Sequence, residues 1–401
     1  MWIPKNEQEI VDAANTGTLT ETAIFDAKRK LPDSSKELAK DVAAMATDGG
    51  ILLYGLGEDE QKRLTVLSPF PLAGVRERIT SIVRTCIAEP PDILVQPVPT
   101  MADTSVGYVV VVIPASARVP HMVVVDKDHR FYGRSATGNI ILSEGEVARL
   151  YERRIRNEVD LNVALDALVA LAPIPLENGF SYLYVLVEPA LSDLGLLERA
   201  RANMPGDRTE ADYLNEVIRS ANMQQPFHGR YQPSIEGYCQ WHRVVDGWET
   251  FGSGDRTTAR EQGPSSCIRL EVLSTGRISL FCGRAAEILH DHRNPLVFEE
   301  LVAGLTSQCL LTGGIIYDQS SYIGPVNIGV ALTNLSGVMS YRLVVDGFGE
   351  LHVPHYPDDQ YRRTERILGY TLRAEYLDIA QRLLRPFLLT LCENRYNPFT
   401  R

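Results

Sequence analysis

Three short stretches of this 401-residue chain hold side chains of the kind that assemble metal-assisted phosphodiester chemistry. The first is ETAIFDAKRK, which carries Glu21, Asp26, Lys28, Arg29 and Lys30. If Ile24 to Lys28 form a strand, alternation sends Phe25 and Ala27 to one face and Asp26 and Lys28, side by side, to the other. A carboxylate two residues before a lysine is a spacing by which nucleases hold Mg²⁺ or Mn²⁺ next to an ammonium that steadies charge on the phosphate. Glu21 reaches the same place only if the chain turns near Thr22 or Ala23. The second stretch, Glu58-Asp59-Glu60, follows the apolar run ILLYGLG and offers Glu58 as a third metal ligand from a neighbouring strand. The same residues also fit a solvated strand edge or an exposed ion pair, either of which contributes little energy.

The third stretch, Phe131-Tyr132-Gly133-Arg134, sets an aromatic platform beside a guanidinium, a pairing that can stack on an unstacked base and hold its phosphate. Arg29, Lys30 and Arg134 are candidate phosphate contacts, with Arg118 and His121 flanking Pro120 on the same groove. Gly55 and Gly57 would let backbone amides approach a phosphate, although a tight turn demands glycine equally. Cys282, His290 and His292 are a weaker metal-binding candidate, and the six scattered cysteines, without a CxxC, read as buried thiols. The dipeptide Gly-Lys never occurs, so a P-loop is absent, as are HExxH and GxSxG.

The elements that must position these residues can be read from periodicity. A short helix over 5–15 precedes the charged strand, and a helix over 34–46, capped by Ser34 or Ser35, carries Leu38, Val42 and Met45 on one stripe. ILLYGLG reads as a buried strand entering a turn, 75–87 as a helix, GYVVVVIP as the strongest strand, and HMVVVDKDHRFYGR as a hairpin. A helix beginning at Ser143 leads through LYERRIR to the hinge. Beyond it, strands are expected at 181–189, within 236–247, on either side of Ser-Thr-Gly at 274–276, and in VNIGVALTNL and YRLVVDGFGELHV. Helices are expected at 196–204, 211–223, 295–311 and 364–391, the last interrupted near Pro386. The fold class is therefore α/β (α+β): a mixed-sheet domain with flanking helices over about 1–155, then an α+β domain over 160–401 suited to partner sensing or dimerisation.

Net charge is −11, and residues 1–150 carry 16 basic against 20 acidic side chains. Indiscriminate attraction to nucleic acid is disfavoured, so a polyanion must be held by a defined site. No apolar run is long enough to cross a membrane and MWIPKNEQEI lacks a signal-peptide core, so a cytoplasmic protein is expected.

In order along the chain stand Glu21-x4-Asp26-x-Lys28, a helix ending AAMATDGG, ILLYGLGEDE, VVVVIPASARVPH and RFYGRSATGN. Together, over about 18–155, they resemble the Alba-like domain of the Schlafen family in its stand-alone bacterial form. Its pattern is E-x4-E-x-K, a helix ending near N-x-x-G-G, a strand into G-[IV]-x-D, and P-x-S-x-x-P-H before an aromatic-Tyr-x-Arg hairpin. Asp26 stands where that pattern has Glu, Glu58 where it has Asp, and Ala46 where it has Asn. The resemblance implies a nucleic-acid-binding domain in which Glu21, Asp26 and Glu58 hold Mg²⁺ or Mn²⁺ and Lys28 assists cleavage of structured RNA such as transfer RNA. RNA is the expected partner ahead of DNA, a homo-oligomer is compatible, and a defence or stress role would follow. The rivals are a non-catalytic DNA-binding regulator, whose acids are structural ion pairs, and a nucleotide-binding protein without a P-loop.

Overall fold

The computed structural model describes residues 2–400 apart from 18, 126–127, 136–137, 191–194, 205–208, 225, 228–234, 236–238, 253–255, 291 and 349–351, and apart from the side chains of 128 and 156–160. The fold is of the mixed α/β class. The chain divides into two compact units, Met1–Glu158 and Val159–Arg401.

In the first unit the order is α1 (Glu7–Thr16), β1 (Phe25–Lys28), α2 (Ser35–Met45), β2 (Gly50–Tyr54), β3 (Leu56–Glu58), β4 (Leu64–Leu67), β5 (Phe70–Pro71), α3 (Val75–Cys86), β6 (Ile87–Ala88), β7 (Leu94–Pro99), β8 (Val106–Ile113), β9 (Met122–Val125), β10 (Asp128–Ser135), β11 (Gly138–Ile141) and the start of α4 (Glu144–Ala170). β1 and β2 are parallel, with Asp26 opposite Leu52 and Lys28 opposite Tyr54, and α2 is the crossover that a parallel pair requires. β2 and β7 flank β8, which is the most apolar strand of the unit and is buried almost throughout. A second sheet runs β11-β10-β9-β6. Leu38, Val42 and Met45 of α2 and Ile79 and Val83 of α3 join Leu52, Tyr54, Val109 and Val111 in one core. Ser34 caps α2, its Oγ accepting from Glu37 N at 3.4 Å.

ILLYGLG is not one strand. Gly55, at φ +103°, breaks it into β2 and β3, and β3 leaves to form a separate two-stranded ribbon with β4. A Cβ at Gly55 would stand 2.7 Å from Tyr108 Cδ1, so both the left-handed backbone and the close approach require glycine there.

The second unit holds the end of α4, then β12 (Phe180–Pro189), α5 (Leu196–Ala202), α6 (Glu210–Gln224), β13 (Trp241–Val244), β14 (Gly247–Phe251), α7 (Arg256–Gln262), β15 (Ile268–Leu273), β16 (Ile278–Glu287), β17 (Leu296–Val297), α8 (Glu299–Gln319), β18 (Pro325–Thr333), β19 (Met339–Ser340), α9 (Tyr341–Leu343), β20 (Gln360–Leu368) and α10 (Gly369–Cys392). Its sheet runs β13-β14-β15-β16-β12-β18-β20, with β17 and β19 attached beside β16. Alternation along β12 sends Leu183, Val185 and Val187 into the core that holds α8 and α10, and Tyr182, Tyr184 and Leu186 into a smaller core with Leu165 and Leu168.

Four expectations for this unit need correction. YRLVVDGF is not a strand: Ser340 caps a helical turn by accepting from Leu343 N at 3.1 Å, and 344–348 continue as a π-helical turn ending around Gly347 at φ +97°. The stretch read as the start of the last helix is β20, because 360–368 pair residue for residue with β18. Pro386 does not interrupt α10, since Leu383, Leu384, Phe387 and Leu388 on both sides of it are buried and hold the helix through it. The helix placed at 295–311 begins later, at Glu299, and runs on to Gln319.

Candidate functional site

The charged stretch at the chain's start makes the turn that its spacing required. Thr22 N donates to Phe25 O at 2.9 Å, residues 23–24 form the bend, and Glu21 comes back beside β1, where its Oε1 accepts from Ala27 N at 3.4 Å. On β1 the alternation is as expected: Phe25 packs edge-on against Trp2, while Asp26 and Lys28 face α2.

They open into a cleft of about 430 Å³ lined by Glu21, Asp26 and Lys28 from the start of the chain, Glu37, Lys40 and Asp41 from α2, and Tyr132, Arg134, Gly138 and Asn139 from the β10–β11 hairpin. Five of these side chains close a ring. Lys28 Nζ lies 3.2 Å from Asp26 Oδ2 and 3.4 Å from Asp41 Oδ2. Asn139 Nδ2 donates to Asp41 Oδ1 at 2.7 Å, and Arg134 Nη1 donates to Asn139 Oδ1 at 3.4 Å and to Asp26 Oδ2 at 3.2 Å.

Glu21 stands at the ring's open side. Burial, then the hydrogen bond to Asp26 and the Asp26 charge, raise its pKa to about 7, so it holds a proton against its neighbour around neutrality. Burial alone would raise Asp26 too, but the Glu21 hydrogen bond and the charges of Lys28 and Arg134 outweigh it, and Asp26 stays below its ordinary value. Asp41 goes the other way: its burial exceeds what Lys28 and Asn139 return, and its pKa rises. Beneath them the Tyr54 hydroxyl is fully buried without a hydrogen-bond partner among the described residues. Burial, then the charges of Asp41 and Asp26, push its pKa well up.

Of the other expected site residues only Tyr132 also lines the cleft. Glu58 ends β3 on the exposed surface and does not line the cleft; its charge adds slightly to the rise at Glu21, and its carbonyl accepts from Arg29 Nη2 at 2.9 Å. Arg29 lies over Gly57, where a Cβ would come within 3.0 Å of it, so this glycine makes room for an arginine. Lys30 pairs with Asp33 at 3.2 Å on the surface. Arg118 pairs with Asp92 at 3.3 Å. Tyr132 is in the lining but buried, with the Lys40 ammonium 5.5 Å from its ring centroid, so that cation, rather than a base, lies over the ring. Phe131 turns away to pack edge-on against Tyr151.

His121 is buried outside the cleft, with Nδ1 2.6 Å from Glu89 O and Nε2 without a partner among the described residues. Burial lowers its pKa from 6.5 to about 4. A histidine kept neutral by the fold binds fewer protons folded than unfolded between those values, so its stabilising share is complete above pH 6.5 and is lost as pH falls towards 4. The expected loss is on the order of 3 kcal/mol. Urea unfolding at pH 7 and pH 4.5 should show wild-type protein losing more stability than His121→Gln; equal losses would place the ring in water.

Asp41 and Asn139 were not legible as site residues by motif, yet α2 carried a signal. Asp41 falls on the stripe of Leu38, Val42 and Met45, and an aspartate inside a helix's buried face has to be held by something.

Whether the cleft suits a divalent cation can be judged from its donors. Among the described residues no group of three or more His, Cys, Asp or Glu is arranged to hold a metal, which covers both the Glu21/Asp26/Glu58 set and the Cys282/His290/His292 set. Two carboxyls in contact, one still holding a proton, nevertheless match what Mg²⁺ commonly takes from a protein, one or two carboxylates, with water and substrate phosphate supplying the rest. Glu21 and Asp26 fit such an ion as a pair. No helix among the described residues is long and apolar enough to cross a membrane. Comparison of the chain with family models, with curated proteins and with solved structures gives no match.

Proposed function

We propose that the cleft of the first unit binds the sugar-phosphate backbone of structured RNA and cleaves it with the help of Mg²⁺ or Mn²⁺ held by Glu21 and Asp26. The observation that carries this reading is the contact between the Glu21 and Asp26 carboxyls at the mouth of a cleft that also presents Lys28 and Arg134. Glu21 is exposed and free to turn into solvent, yet its carboxyl lies against the buried Asp26, which raises its pKa. The bound cation would supply charge neutralisation at the phosphate and a more acidic water. Lys28 and Arg134 would face the non-bridging oxygens, where a cation is worth more as negative charge builds up in the transition state. The likeness of this stretch to the Schlafen Alba-like pattern points to RNA as the polyanion.

A second reading is favoured by the ring itself. Asp26 and Asp41 each already have a cation within 3.4 Å, as expected if the acids serve to hold the hairpin to α2 and the unit binds nucleic acid, DNA included, without cutting it. Incubation of the full chain with transfer RNA, ribosomal RNA and duplex DNA, each in Mn²⁺ and in EDTA, separates the two. The first reading expects RNA fragments only with the cation. Binding that survives EDTA with no cleavage under any condition would favour the second, and no binding to any of the three would remove both.

A further inference from the structure

We infer that Asp41 is the positioning residue of the cleft: it fixes where the Lys28 ammonium stands and, through Asn139, where the Arg134 guanidinium points. The inference rests on the proposed RNA-cleaving reading and goes beyond it by assigning a role to a helix residue that would not touch substrate.

Four observations lead there. Asp41 is a carboxylate on the apolar face of α2, almost wholly removed from water, where neither helix propensity nor packing favours it. Its two oxygens are divided between two partners on different elements, Oδ2 to Lys28 of β1 and Oδ1 to Asn139 of β11. Asn139 then spends its own oxygen on Arg134, so one side chain on the helix sets the placement of two of the three cations that line the cleft, Lys40 being the third. Tyr54, opposite Lys28 on β2, holds a buried hydroxyl without a hydrogen-bond partner among the described residues, and the Asp41 charge is felt there. A lysine held by Asp26 alone would have several rotamers that keep that contact. A second anchor 3.4 Å away on a rigid helix removes most of them, which is the support that a reacting constellation needs.

The inference separates from plain electrostatics by the sign of one effect. Removing an acid from a polyanion-binding cleft should strengthen RNA binding and leave cleavage no slower if Asp41 matters only through its charge. If it positions Lys28, Asp41→Asn should leave RNA affinity in EDTA unchanged or tighter while single-turnover cleavage slows by roughly 10- to 100-fold, the usual loss when a residue that orients a site's groups is removed. Asp41→Glu should recover part of the rate.

The decisive experiment is a double-mutant cycle of Asp41→Asn and Lys28→Met, read by single-turnover cleavage in Mn²⁺, by RNA affinity in EDTA and by urea unfolding. If Asp41 acts through Lys28 and, by way of Asn139, through Arg134, the double variant should lose clearly less rate than the product of the two single losses, and the two substitutions should be coupled in stability as well. Losses in rate that multiply would overturn the positioning role while leaving the RNA-cleaving reading intact, as would weakened RNA binding by Asp41→Asn in a protein that stays folded. Should wild-type protein cleave no RNA, the functional reading falls and the positioning role with it, whatever the coupling in stability.

Discussion

Asp26→Asn is expected to abolish RNA cleavage, with a loss on the order of a thousandfold or more, about 4 kcal/mol in the barrier, while RNA binding is kept or strengthened. Asn keeps the volume and one acceptor oxygen, so Arg134 or Lys28 retains a partner at that position. What goes is the anion. Without it Glu21 has no carboxylate to share a proton with, and the pair that would hold the cation is gone. Lys28 still has Asp41, which limits the expected stability loss to about 2 kcal/mol, less than the removal of a sole partner from a buried ion pair. Equilibrium unfolding alongside single-turnover cleavage separates the two effects. A folded Asp26→Asn protein that cuts RNA at the wild-type rate would make Asp26 structural only.

Arg134→Ala should cost both stability and binding. The sequence offers Arg134 as a phosphate contact beside Phe131 and Tyr132. In the structure its side chain is only 9% exposed, pinned between Asp26 and Asn139. Truncation leaves Asp26 with Lys28 as its remaining cation and opens the link between the hairpin and β1, so a loss of about 2–3 kcal/mol is expected in urea unfolding. RNA affinity should fall and its dependence on salt should flatten by about one charge. Arg134→Lys should keep much of the salt dependence, because the charge stays and a single nitrogen, Nη1, makes both contacts. A stability change within about 0.5 kcal/mol for Arg134→Ala would mean that the guanidinium stands in solvent.

Much of the scaffold of this cleft could be read from residue patterns, and the exceptions have physical causes. Phe25 to Lys28 and the Ser34-capped helix were legible because alternation and capping are local. The turn that brings Glu21 to Asp26 was legible only as a condition, since nothing in Thr22-Ala23-Ile24 forces it. Glu58 was misplaced because ILLYGLG looks like one strand. The break at Gly55 depends on Tyr108 from β8, a contact far away in sequence. Asp41 and Asn139 were missed because neither belongs to a motif; their role exists only once α2, β1 and the hairpin meet. In the second unit, 360–368 has the charges of a helix face, and only pairing with β18 makes it a strand.

Calorimetric titration of the wild-type protein and of Asp26→Asn with Mn²⁺ at pH 8, where Glu21 has largely lost its proton, tests the cleft most directly. One ion should bind each wild-type chain and none should bind Asp26→Asn at the same site. Wild-type protein that takes up no Mn²⁺, or an Asp26→Asn variant that binds it as tightly, would contradict a metal held by Glu21 and Asp26.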